Sequence, residues 1–292
     1  MAKRDPTRQA LEKLSQIDLR SPEGEQALVE ALAHKSNLVV ARAAKKIEQN
    51  RLLALAEPMA GALTRLLEAD LNADRGCEAK TALARALCEL EVSEQALFVR
   101  GVQVKQMEAA YGGPVDTAAE LRGLCAVGLV RSHRRQVLED LAILLSDPEP
   151  VARSYAARAV IENGETQGAA LLLLHLLKGE EVPDVALDCL SGLFTLCPER
   201  AVDYVRSYFL SSPADPAWPM ALLALGESRR GDALALLLEL SPRLVQPADR
   251  RALLEAIAIT RLDAARTFLR EQALDGSKEA RQTLVRFWGE ED

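Results

Sequence analysis

Aromatic residues make up only 4% of this 292-residue chain, although 49% of it is hydrophobic. The apolar content is therefore mostly Leu, Ala and Val, which suits close-packed helices better than sheet surfaces built from aromatic and β-branched side chains. Histidine is scarce as well. His34, His133 and His175 are the three present; none has a second His or Cys at ligand spacing, and no HExxH occurs. The five cysteines, Cys77, Cys88, Cys125, Cys189 and Cys197, are odd in number and lack CxxC spacing. They predict neither a disulfide framework nor a thiolate metal site, and read as small buried hydrophobes in a reducing compartment.

Also missing are a phosphate loop, a dinucleotide fingerprint and a Gly-x-Ser-x-Gly elbow. The chain thus offers no candidate catalytic, cofactor-binding or metal residue, and no cofactor is expected. Long oily runs are absent: Ala169 to Leu177 is interrupted by His175 and is too short to span a bilayer. The start, Met1 to Arg8, lacks the apolar core of a signal peptide. These features predict a cytoplasmic protein that does not enter membranes. A net charge of −7 and a pI near 5.3 argue against nonspecific coating of nucleic acid or an anionic surface.

What the chain does have is a repeat. After the turn residues Asp147 to Pro150, apolar positions follow at Ala152, Ala156 and Val160, four apart and on one helical face. The same phase recurs from Val39, Ala79, Ala119, Val185, Ala217, Asp249 and Ala280, with steps of 40, 40, 33, 33, 32, 32 and 31 residues along the series. A charge occupies the apolar position at Asp249, where the register could slip by one. Before most anchors lies a second amphipathic run, such as Val137 to Leu145, Ala169 to Leu177, Ala233 to Leu240 and Ala264 to Leu269. Ser21-Pro22, Gly112-Gly113-Pro114, Asn163-Gly164, Pro183, Pro198, Pro213 to Pro219 and Pro242 to Pro247 supply turn signals between units. Each unit is thus a helical hairpin.

One hairpin cannot bury its own apolar face, so hairpins must stack. The prediction is an all-α, right-handed α-solenoid of about eight two-helix repeats forming a single domain over residues 1–292, with a capping helix at about 5–20 and repeats over about 24–288. Asp5-Pro6 is placed to cap and open the first helix through Leu11, Leu14 and Ile17, and the acidic Gly289 to Asp292 closes the chain. The two longest steps leave extra loop residues around Leu71 to Arg75 and Tyr111 to Asp116, whose role the pattern leaves open.

Over roughly residues 24–288 this pattern resembles the HEAT and HEAT-like repeat proteins. In that family an Asp in the turn within a repeat and an Arg or Lys early in the second helix form a ladder along the stack. Asp74 with Lys80, Asp147 with Arg153 and Asp275 with Arg281 keep that spacing. Their expected role is structural, capping turns and tying successive hairpins. The other repeats lack one or both partners, which predicts a ladder broken in the middle. HEAT-type hydroxylases carry His-Glu dipeptides for iron, and this chain has none. The resemblance leaves three readings of function: a protein-binding scaffold, a nucleic-acid-binding protein similar to the HEAT-like DNA glycosylases, or an enzyme subunit similar to the bilin lyases. The first leads. The second is opposed by the acidic pI and by few aromatics for base stacking, since Trp218 falls in a Pro-rich turn and Trp288 at a core position.

Ten-residue windows from the eight anchors contain twelve Lys+Arg against five Asp+Glu, so the second helices are basic in an acidic protein. The sixth residue after each anchor lies roughly opposite the apolar stripe. That column reads Lys45, Arg85, Cys125, Arg158, Ser191, Leu223, Glu255 and Arg286. In HEAT-like stacks the second helices line the concave surface, about 8 to 10 Å apart. Lys45, Arg85 and Arg158, with Arg122 beside the gap at Cys125, are therefore the expected partner-binding residues. They would suit a protein with an acidic segment.

Overall fold

The structure is a computed structural model that describes residues 5–19, 21–211, 216–244 and 246–289. It is all-α, an α-solenoid of paired helices, apart from one short hairpin of strands. The chain forms two compact units that meet in sequence between Asn163 and Gly164.

In the first unit α1 (Pro6–Gln16) is followed by α2 (Pro22–Leu32), α3 (Asn37–Gln49), α4 (Ala56–Glu68), α5 (Glu78–Glu89), α6 (Gln95–Gly101), α7 (Ala119–Arg131), α8 (Val137–Leu144) and α9 (Pro150–Asn163). The helices pair as α2/α3, α4/α5, α6/α7 and α8/α9, and α3, α5, α7 and α9 pack side by side in one layer. The second unit holds α10 (Gly168–Lys178), α11 (Pro183–Leu196), α12 (Pro198–Tyr208), α13 (Trp218–Glu227), α14 (Gly231–Leu240), α15 (Pro247–Ile259), α16 (Asp263–Leu274) and α17 (Lys278–Trp288). Here α10 pairs with α11, α14 with α15 and α16 with α17, whereas α12 packs on α11 and α14, and α11, α13, α15 and α17 are successive neighbours.

Helix boundaries follow from local chemistry. Pro6, Pro22, Pro183, Pro198 and Pro247 sit in the first turns of their helices, where a missing N–H costs nothing. Asp5 accepts from the Thr7 amide and Ser21 from the Gly24 amide, satisfying donors the helices leave open. Residues 213–215 of the turn predicted at Pro213 to Pro219 lie outside the described residues, as does the acidic end beyond Gly289. Trp218, expected in that turn, instead opens α13 and is buried. Trp288 is half-buried at the end of α17.

The inward stripes are as expected in most repeats. Val39, Ala43 and Ile47, Ala79, Leu83 and Leu87, and Ala152, Ala156 and Val160 are all buried. Fully burying a side chain such as Leu83 contributes about 1.5–3 kcal/mol. Small residues bring the second helices together. A Cβ on Gly226 of α13 would lie 2.5 Å from the Ala256 carbonyl oxygen of α15, so only glycine permits that approach.

The third repeat departs from expectation twice. Its inward stripe begins at Leu121 with Cys125 and Leu129, all buried, whereas Val127 of the anticipated stripe is only half-buried. The register is two residues later than the Ala119 anchor, because α7 is apolar nearly all round and its periodicity does not separate the two choices. In addition, Gly112-Gly113-Pro114 does not divide units. It lies in an antiparallel hairpin, β1 (Met107–Ala110) and β2 (Gly113–Asp116), inserted between α6 and α7. Positive φ at Gly112 and Gly113 makes the tight connection.

Candidate partner-binding surface

Two arrangements in the first unit concentrate polar side chains, one inside and one at the surface. The interior one starts at Asn37, whose Nδ2 donates to Asp74 Oδ1 (3.2 Å) and to the Arg75 carbonyl (2.9 Å). Asp74 in turn accepts from the backbone amides of Ala79 and Lys80, both at 2.9 Å, and so caps α5. Lys80 Nζ lies 3.8 Å from Asp74 Oδ2 and donates at 2.6 Å to Gln106 Oε1. Gln106 returns its Nε2 to the Asp74 carbonyl (2.7 Å), while its backbone amide donates to Asp116 Oδ1 (3.0 Å).

Arg122 continues the line. Its Nη1 donates to Asp116 Oδ2 and to the Val104 carbonyl, and its Nε and Nη2 form a fork onto the two oxygens of Asp147, each contact being 2.8 Å. Asp74, Lys80, Gln106, Asp116 and Arg122 are all buried. Burial alone would raise the Asp116 pKa, but the Gln106 and Ala118 amides and the Arg122 guanidinium outweigh it and hold the carboxyl below its usual range. Every member has partners, the condition under which a buried polar network rigidifies rather than destabilises.

This network is the expected ladder, and it is more continuous than the three anticipated pairs. Asp116 and Arg122 keep the same spacing as Asp74 and Lys80 but were hidden by the slipped register of α7. Arg153, expected to pair with Asp147, donates to the backbone carbonyls of Asp147 and Pro148 at 2.9 and 3.0 Å. Arg281 similarly donates to the Ala273 carbonyl (3.2 Å).

The surface arrangement is a groove of about 650 Å³ lined by Leu11 of α1, Leu38, Arg42, Lys45 and Glu48 of α3, and Ala82 and Arg85 of α5, among others. Leu38 is 52% exposed, so the floor and rim present apolar surface beside three cations. Glu48 and Glu78 also line the groove. Arg85 is half-exposed and ion-pairs with Glu120 of α7, to which the Tyr155 hydroxyl donates at 3.5 Å.

Of the expected partner-binding residues, the structure brings Lys45 and Arg85 together at this groove, where Arg42, which the periodicity argument left out, joins them. Arg158 is exposed on α9 but does not line the groove. Arg122 is a correction: its side chain is 2% exposed and committed to Asp116 and Asp147, so it does not belong to an accessible stripe. The gap expected at Cys125 is also explained, because Cys125 is part of the core and Val127 holds the outward position in the true register.

Elsewhere, burial pushes the Cys77 thiol up to about 11 and the Cys88 thiol to about 12. Neither is a nucleophile at neutral pH. His175, expected on a helix face, pairs its Nε2 with Glu180 Oε2 at 2.7 Å. No group of three or more His, Cys, Asp or Glu side chains is placed to hold a metal among the described residues, and none of their helices is long and apolar enough to cross a membrane.

No family model matches the chain, and no curated protein matches it in sequence. Among solved structures it is similar to the complex of CpcE and CpcF of phycocyanin lyase from Nostoc sp. PCC7120, with a TM-score of 0.43 and 18% identity, over 78% of this chain and 92% of that one.

Proposed function

We propose that the protein is a binding adaptor whose first unit holds an acidic, apolar-bearing segment of a partner protein in the groove between α1, α3 and α5. The observation that carries this reading is the convergence of Arg42 and Lys45 beside an exposed leucine, with Arg85 held next to them by Glu120 and with Glu48 and Glu78 offsetting part of the charge. Cations beside a small apolar floor suit a peptide that alternates carboxylates with leucines. The acidic remainder of the surface repels the same peptide and so restricts it to this place.

Lys45 is the residue to test. It is exposed, whereas reversing Arg85 would set a carboxylate against Glu120 and confound binding with stability. A fluorescent peptide of repeated Glu-Glu-Leu serves as the probe, with anisotropy as the readout. The paired variant Arg42→Glu, Lys45→Glu is expected to weaken binding about tenfold or more, equivalent to about 1.4 kcal/mol. Its thermal midpoint should stay within that of the parent, and binding by the parent should fall as salt is raised. Equal affinity of parent and variant for the peptide would remove the groove from the account.

A further inference from the structure

The segments that lengthen the second and third repeats, residues 69–77 and 103–117, are joined to each other. Glu108 Oε1 accepts from the Gly76 amide (2.7 Å), from the Thr117 hydroxyl (3.0 Å) and from Gln106 Nε2. Gln106 itself bridges Lys80 and the Asp74 carbonyl. The base of the β1–β2 hairpin is therefore pinned to the buried ladder. Its outer part is apolar and uncovered: Met107 is 52% exposed, Val115 48%, and Tyr111 at the tip fully so, while Leu71 of the other segment is 49% exposed. A rigid base beneath an exposed apolar tip is a preorganised surface, which lowers the ordering cost of binding.

The register decides which edge of the hairpin is open. Partners are Met107 with Asp116, Glu108 with Val115, Ala109 with Pro114 and Ala110 with Gly113. Thr117 N–H donates to the Gln106 carbonyl at 2.9 Å, so hydrogen-bonded pairs alternate from there through Glu108 and Ala110. The N–H and C=O groups of Met107 and Ala109 consequently point away from β2, and their amides have no backbone partner among the described residues. On β2 the outward positions are Pro114, which has no N–H, and Asp116, which is buried. Only β1 presents an edge competent for pairing. The exposed cation Lys105 stands at its start.

We propose that the outer edge of β1 receives an extended segment of a partner protein as a third, antiparallel strand. The Met107 and Ala109 backbone groups supply the ladder, and Met107 and Tyr111 supply apolar contact. Lys105 meets a carboxylate at the end of the segment that passes it. A second copy of this chain is the poorer occupant, because in any two-fold antiparallel pairing of two β1 edges through Met107 and Ala109 each Lys105 lies opposite Ala109, Tyr111 or Gly113 and meets no carboxylate. This inference is independent of the groove, none of whose lining residues belongs to either segment.

The probe is a phage-displayed library of random linear peptides selected on the full chain. Enriched peptides are expected to slow hydrogen exchange at the Met107 and Ala109 amides, to favour an acidic residue at one end, and to lose about tenfold in affinity for Ala109→Pro. That variant removes one edge donor at a position that does not bond to β2. Should it disturb the hairpin, exchange on the parent protein still decides the question. A library without binders, peptides that protect other amides, equal affinity for Ala109→Pro, or a chain that self-associates through β1 instead would each overturn the proposal.

Discussion

Arg122 makes three ion-pair contacts and one carbonyl contact from a side chain that is 2% exposed, and it is the point where the third and fourth repeats are tied. Removing one partner of a buried ionic group leaves the others uncompensated, which costs far more than an exposed pair is worth. Arg122→Ala is therefore expected to lower unfolding free energy by about 3–5 kcal/mol in urea titrations. Arg122→Lys should recover only part of the loss, since an ammonium cannot reproduce the fork onto Asp147. An alanine variant as stable as the parent would reduce the ladder to a decoration. The same residue was legible as a cation in the second helix but not as a buried one. Its two carboxylates lie 6 residues before it and 25 residues after it, and no local pattern reveals which distant acid a side chain will reach.

At the scale of helices, close approach is governed by what the contact residues lack. A Cβ on Gly226 would meet the backbone of α15 at Ala256, which cannot rotate aside, whereas one on Gly123 would meet the Tyr155 side chain. Gly226→Ala gains about 1 kcal/mol of helix propensity, yet it forces α13 and α15 apart. Overpacking costs about 1–3 kcal/mol. A net loss of thermal stability is expected, in contrast to the usual effect of replacing a helical glycine. The helical pairs themselves were readable because Ala and Leu repeat at a spacing that only a helix satisfies. Hairpin β1–β2 was not, for its strands hold Ala109, Ala110, Gly113 and Pro114, residues with little strand preference. Their extended form is imposed by Gln106, Glu108 and Asp116, which bond to one another and to Lys80, Asp74, Gly76 and Arg122 outside the hairpin. Lys45 and Arg85 could be placed by counting around a helix, since an outward position needs only the helix's own geometry. Arg42 and the capping-helix Leu11 needed the neighbouring helix to be seen, and the surface they share is not written in any one segment.

For the molecule as a whole, it is a buried carboxylate that sets the lower limit of pH at which the first unit holds. In the first unit Asp116 sits below its ordinary value for the reasons given above. In the second the Arg230 guanidinium depresses Asp232 and Arg206 depresses Glu239, but both pairs are exposed, so solvent screening leaves them little weight in stability. Such groups bind fewer protons folded than unfolded, so the stability they contribute is complete above the unfolded pKa of about 4 and is lost as pH falls through the lower, folded value. The pI near 5.3 lies above that window. Net charge thus vanishes while the ion pairs are still formed, and solubility should reach its minimum before structure is affected. Light scattering is expected to peak close to pH 5.3 with unchanged far-UV circular dichroism, and helicity should decline only below about pH 4. Asp116→Asn should flatten that decline, because a neutral amide has no proton to gain. Helix loss already at the pI would mean that the depressed carboxylates are not what holds the fold at low pH.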